Sequence, residues 1–142
     1  KDNVVPGNVR LLLDFRIHPG MDHEQVGQFL DKGFEQAGIE GFQRTLHFYM
    51  PGGEIPQDDR FVKLCLEERE RQFGIKSDPQ PFDASCEQCF LTKEGIQTVI
   101  CGPGDIAQAH TVGEFTWEKQ VRDAVSLYER IIDRVLYKTN YI

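Results

Sequence analysis

The amino-acid sequence predicts an α/β fold, and three observations carry that expectation. Segments of alternating side chains rich in branched and aromatic residues, 8–17 and 42–50, read as strands. Between and after them lie stretches whose apolar residues recur at helical spacing. Clusters of glycine and proline, "HPG" at 18–20, "PGGEIP" at 51–56 and "CGPG" at 101–104, punctuate the two patterns.

Taken in order, "NVRLLLDFRI" (8–17) is the first expected strand, and His18, Pro19 and Gly20 end it. Asp22 then stands where an N-cap belongs. Val26, Phe29, Leu30, Phe34 and Ala37 follow on one helical face, and Gly38 closes the helix. "FQRTLHFYM" (42–50) is the second strand, with Phe42, Arg44, Leu46, Phe48 and Met50 on one side and Thr45, His47 and Tyr49 on the other. If both strands run parallel in one sheet, the crossover is right-handed.

Past the 51–56 seam the pattern becomes more helical. "DDRFVKLCLEERERQFG" (58–74) predicts a helix with Phe61, Leu64, Cys65 and Phe73 inward, and with Glu67, Glu68, Glu70 and Arg71 on a solvated charged face. A proline-interrupted loop leads to a short helix near 85–93, a strand "QTVIC" (97–101), the loop "CGPGDIAQAH" (101–110) and a long helix over about 116–137. Val121, Val125, Tyr128, Ile132, Val135 and Leu136 make an apolar stripe on that last helix, a docking face for a sheet. The seam divides the chain into two portions, 1–54 and 55–142.

Composition narrows the function classes. A net charge of −7 with no basic cluster argues against nucleic acid as a partner. No run approaches the roughly 18 apolar residues that span a bilayer, and no secretory leader opens the chain, so no membrane role and a cytoplasmic location are expected. Cys86 and Cys89 form a C-x-x-C pair, but structural zinc wants four ligands and a redox pair favours Pro or Gly between the cysteines, where Glu87 and Gln88 stand. The four cysteines are therefore read as reduced, and Cys86 and Cys89 as two thiols packed on a short helix.

The loop after the third expected strand is where chemistry is expected, because a strand end is rigid and open. His110 ends that loop, and Glu114 lies four residues on. A neutral imidazole on a stiff loop is a good metal ligand, while a lone histidine just before a helix is more often a capping or surface residue; spacing alone leaves both open.

The stretch "GPGDIAQAHTVGEF" resembles the C-terminal signature of the acetylornithine deacetylase and succinyl-diaminopimelate desuccinylase family, relatives of carboxypeptidase G and aminoacylase that hydrolyse amide bonds with one or two zinc ions. The resemblance implies that His110 is a zinc ligand and that Glu114 supports it from the second shell of the site. Upstream, "NVVPGNVRLLLDFRIHPGM" is similar to a segment of the family's dimerisation (lid) domain, which places Asn3 and Arg16 as the pair that binds the substrate carboxylate. A planar guanidinium suits that task through two parallel hydrogen bonds. By itself, Arg16 reads equally as a strand-edge residue paired with Asp14 or Glu35. Glu87 matches an acidic residue that buttresses the site in deacetylase-like members.

The family likeness implies the second half of a split strand-helix-strand, ferredoxin-like lid domain, an α+β portion, followed by the C-terminal strand and helices of an α/β zinc-peptidase domain. It also implies a substrate that is an N-acyl amino acid or small peptide. The family's H-x-D ligand pair, bridging aspartate and Glu-Glu pair precede the lid, and this chain has no H-x-D; Glu67 and Glu68 imitate the Glu-Glu pair but follow the lid segment. The start at Lys1 reads as a fragment that by itself is inactive and completes its sheet in a homodimer or with the missing N-terminal part. The alternative is a catalytically silent dimerisation or interaction module that binds a partner by sheet addition.

Overall fold

In the computed structural model, which describes residues 5–137, four α-helices and one 3-10 turn form where capping chemistry permits. They are α1 (His23–Gln36), α2 (Arg60–Phe73), α3 (Gln88–Lys93), the 3-10 turn Ile106–Gln108 and α4 (Glu118–Leu136). The chain separates into two compact units, Lys1–Gly52 and Gly53–Ile142.

The α/β expectation, with its strand-helix-strand half and its later strand, is not met. Among the described residues no strand is present, and 8–17, 42–50 and 97–101 run without regular structure. The reason is physical. Alternation of side chains describes how a segment could present two faces, whereas a strand exists only when a neighbour supplies a ladder of main-chain hydrogen bonds. No such ladder joins these segments. Leu12 at 83% exposure and Val9 at 75% show how little covers the first of them.

In the first unit, α1 carries its own start and stop. The Asp22 carboxylate accepts from the Gln25 main-chain N–H at 2.8 Å, and the Gln25 side chain accepts from the Asp22 N–H at 3.0 Å, a reciprocal capping box. At the other end Gly38, at φ 69°, lets its own N–H reach the Glu35 carbonyl and the Ile39 N–H reach the Phe34 carbonyl. Segment 42–49 then lies antiparallel along α1. Phe42 packs on Phe34 at 4.8 Å between ring centroids, Arg44 forks onto both oxygens of Asp31 at 3.1 Å, and Tyr49 meets the His23 ring at 4.8 Å. The hydrogen bonds that Arg44 donates to Asp31 raise its pKa above the ordinary value.

Gly27 is buried because the Arg44 guanidinium lies directly over it. The packed face is thus centred on Gly27, with Val26, Leu30, Asp31 and Phe34 half-buried, while Phe29 is exposed, off the expected stripe. The expected side division of 42–50 fails as well. Phe42, Arg44 and Tyr49 all contact the helix, so the segment turns over between 44 and 49.

In the second unit, α2 and α4 pack together antiparallel, since Gln72 donates to the Asp123 carbonyl at 2.7 Å while Glu68 meets Arg130 and Arg134. Asp59 caps α2 by accepting from the Phe61 N–H at 2.7 Å, and Gly74, left-handed at φ 68°, ends it. The core is small: Val62, Leu64, Cys89, Ala124 and Leu127. Leu64 and Leu127, each 4% exposed, are worth about 1.5–3 kcal/mol apiece by removal from water.

Two expectations for these helices are corrected. The packed face of α4 is Ala124, Leu127 and Ile131, so Val121, Val125, Tyr128, Ile132 and Leu136 form a second, exposed apolar stripe. On α2, Val62 rather than Phe73 is inward.

The segment 97–101 is tied down at both ends. The Gln97 amide donates to Asp59 Oδ2 at 2.7 Å, and the Tyr128 hydroxyl donates to the Cys101 carbonyl at 2.8 Å. Loop 101–117 therefore leaves from a point fixed on α4. At the start of this unit, a Cβ on Gly53 would stand 2.8 Å from the Cys89 Cα, and main chain cannot swing aside as a side chain can. Gly53→Ala is expected to destabilise the unit by about 1–3 kcal/mol in urea unfolding.

Candidate functional site

The loop between 97–101 and α4 is a series of turns closed on themselves. Asp105 Oδ1 accepts from the Ala107 N–H at 2.9 Å and starts the 3-10 turn, whose bonds run from Gln108 N–H to Asp105 and from Ala109 N–H to Ile106. Gln108 then accepts twice at its carbonyl, from the Thr111 N–H at 3.2 Å and the Thr111 hydroxyl at 2.7 Å. Gly104, at φ 98°, sits where a Cβ would be 3.2 Å from Thr116 Oγ1. Thr116 and the Trp117 N–H both bond the side-chain oxygen of Gln120, which ties the end of the loop to the first turn of α4.

At the middle of this loop stands His110. Its φ is 63°, and among the described residues it is the non-glycine residue in the left-handed region. That conformation costs a residue with a side chain about 1–2 kcal/mol. The offset is visible: Glu114 Oε2 accepts from the His110 main-chain N–H at 2.9 Å, a charge-assisted bond that closes residues 110–114 into a ring. The histidine is exposed, and its imidazole makes no hydrogen bond to any described residue.

Among the described residues of this unit, Glu114 is the expected site residue bonded to His110. Glu87 precedes α3, exposed and without a side-chain hydrogen bond to the helix. Arg16 belongs to the first unit, where its Nη2 bonds Asp14 at 3.2 Å, both side chains largely in water. Asn3 lies outside the described residues. Among the described residues no three histidine, cysteine or acidic side chains come close enough to hold a metal ion. A zinc site needs about three protein donors, and the described residues do not gather them around His110.

The thiols add nothing to that set. Burial pushes the Cys65 thiol up to about 12, with Cys101 adding to the shift, which leaves it protonated and unreactive at neutral pH. Cys101 is raised as well, by burial. All four cysteines are free.

Glu68 overturns the expectation of a solvated Glu67-Glu68 face. Its residue is 4% exposed and takes three arginines: Oε1 accepts from Arg71 at 2.6 Å and Arg134 at 3.0 Å, and Oε2 from Arg130 at 3.2 Å. Burial pushes its pKa up, but the bonds from Arg134 and Arg130 and the charge of Arg71 outweigh this and hold the carboxyl below its ordinary value. Arg134 also bonds Glu67 at 2.5 Å. The signal in the sequence was the i, i+4 pair Arg130 and Arg134 on α4, which faces the acidic pair across the two-helix interface. The cluster joins two helices, and it lies on α2 and α4 rather than in the His110 loop.

Residues 9–134 match the model of peptidase family M20/M25/M40. The chain belongs to that family. Among curated relatives, an acetylornithine deacetylase of Myxococcus xanthus is 28% identical over 118 residues, covering 80% of this chain and 29% of the relative. An acetylornithine deacetylase of Photorhabdus laumondii is 24% identical over 142 residues, covering 97% of this chain and 35% of the relative. An N-acetyl-L-citrulline deacetylase of Xanthomonas campestris is 26% identical over 141 residues, covering 94% and 36% respectively. This chain thus spans about a third of the length of the curated relatives it matches. No solved structure matches it significantly. No helix among the described residues is long and apolar enough to cross a membrane.

Proposed function

We propose that the protein carrying this chain is a zinc-dependent amidohydrolase of the M20/M25/M40 family, acting in the cytoplasm to remove the acyl group of an N-acyl amino acid. The observation that supports it is His110, exposed and unbonded at its ring on a self-bonded loop within the matched residues. Zinc held there and by donors from other parts of the protein would supply Lewis acidity toward the scissile carbonyl. His110 would contribute one imidazole nitrogen to that set.

Arg16, together with Asn3, receives the carboxylate of the amino-acid half of the substrate. Its ion pair with Asp14 is exposed, and such a pair is worth under about 1 kcal/mol. The planar fork then fixes the direction of the bound amide, and orientation is what it adds to catalysis. Glu87 and Glu114 act from behind the groups that touch substrate and metal.

The names of the relatives support the substrate class, since two are acetylornithine deacetylases and one an N-acetyl-L-citrulline deacetylase. The exposed stripe Val121, Val125, Tyr128, Ile132 and Leu136 supports association, with the rest of the polypeptide or with a second copy as a homodimer. Assay of the full-length protein on a panel of N-acetyl amino acids, before and after chelation, tests the reading. Amine release that disappears with chelator and returns with zinc is expected; release that is indifferent to chelation, or none on any N-acyl amino acid, contradicts it.

A further inference from the structure

We infer that Glu114 is a positioning residue whose carboxylate, by accepting the His110 main-chain N–H, holds His110 left-handed and so sets the direction of its imidazole. The proposal rests on the reading of His110 as a zinc donor. Three observations carry it. The first is His110 at φ 63°, a conformation that residues with a Cβ seldom keep without support. The second is the 2.9 Å bond from its N–H to Glu114 Oε2. The third is that the turn bringing Glu114 back to His110 has its own ties: Gly113 at φ 111°, and the Glu114 N–H bonded to the Thr111 carbonyl at 3.3 Å.

The consequence is geometric. The direction of the Cα–Cβ bond relative to the chain follows from φ and ψ, so returning residue 110 to the right-handed or extended region would re-aim the ring while leaving its chemistry unchanged. Glu114 therefore acts on the imidazole through the backbone rather than by touching the ring. This differs from the common arrangement in which a carboxylate bonds the second ring nitrogen of a metal-bound histidine. Because only a hydrogen-bond acceptor is required at that point, the glutamine amide oxygen can replace the carboxylate, and alanine cannot.

The test uses the full-length protein and three variants, Glu114→Ala, Glu114→Gln and His110→Ala. Two measurements are made on each: hydrogen exchange at the residue 110 amide, with the amides of α2 and α4 as the reference for an intact fold, and affinity for zinc alone. Expected are a protected His110 amide in the parent and in Glu114→Gln, loss of that protection in Glu114→Ala with the helices unchanged, and a 10–100-fold weaker zinc affinity in Glu114→Ala that Glu114→Gln largely restores. A His110 amide equally protected in Glu114→Ala overturns the proposal. So does zinc affinity that falls in His110→Ala and stays at the parent value in Glu114→Ala. If His110→Ala itself keeps its zinc, the donor reading falls and the positioning role falls with it, which separates the two failures.

Discussion

Glu68→Ala is expected to lower the stability of the α2–α4 unit by about 2–3 kcal/mol. Removing one member of a buried ion cluster costs about 3–5 kcal/mol when the remaining charges stay dry. Here two of the three arginines can return to water, because the Arg71 and Arg130 side chains are 55% and 48% exposed, whereas that of Arg134 is only 23% exposed. The expected loss is reduced accordingly. Glu68→Gln keeps the volume but offers the arginines a neutral oxygen, so it recovers only part of the difference.

The same carboxylate makes a pH prediction. Its pKa in the fold lies below the ordinary glutamate value of about 4.3, so its contribution is fully present above that value and is lost as pH falls through the lowered folded pKa. The gap in urea midpoint between the parent and Glu68→Ala should be constant from neutral pH down to about 5 and should shrink below about 4. A gap that stays constant down to pH 3 would assign the loss to packing instead of charge.

Helices α1 and α2 are legible in the sequence because both are specified by signals within reach of their own ends. Asp22 and Gln25 form the capping box that starts α1, Asp59 starts α2, and Gly38 and Gly74 take the left-handed positions that stop them. The strands are misread for the complementary reason. Alternation in 8–17 and 42–50 fixes which side chains share a side, but not whether another backbone is there to bond, and the structure shows 42–49 packed along a helix instead. Glu68 is hidden by the same locality. On α2 the charges of Glu67, Glu68, Glu70 and Arg71 look alike, and only the arrival of Arg130 and Arg134 from α4 decides that Glu68 turns inward.

At the candidate site, His110 is legible as the histidine that follows a Gly-Pro-Gly bend. The partnership with Glu114 was visible only as a spacing of four. What that spacing could not reveal is that the contact runs through the main-chain N–H, with the imidazole left unbonded. Arg16 and Glu87 illustrate the opposite limit, since their motif positions carry no information about which groups stand beside them in space.

The second large effect is expected at His110. In the full-length protein, His110→Ala should lower turnover on an N-acetyl amino acid by at least 100-fold, the order of loss that removing even a partner hydrogen-bonded to a metal ligand can reach. Stability should change far less, because the ring is exposed and makes no hydrogen bond to a described residue, and the main-chain bond to Glu114 is kept. Loss of function without loss of fold is therefore the signature. Circular dichroism and urea midpoint should match the parent within about 0.5 kcal/mol, as for surface substitutions generally.

The most direct measurement is the nitrogen NMR signal of the His110 ring, with histidine selectively labelled in the full-length protein and zinc added to the metal-free form. A donor role predicts that one ring nitrogen of His110 shifts in step with zinc occupancy, reaching its limit at the stoichiometry that restores turnover. Ring signals that stay fixed while zinc binds and activity returns would show that the imidazole does not hold the metal.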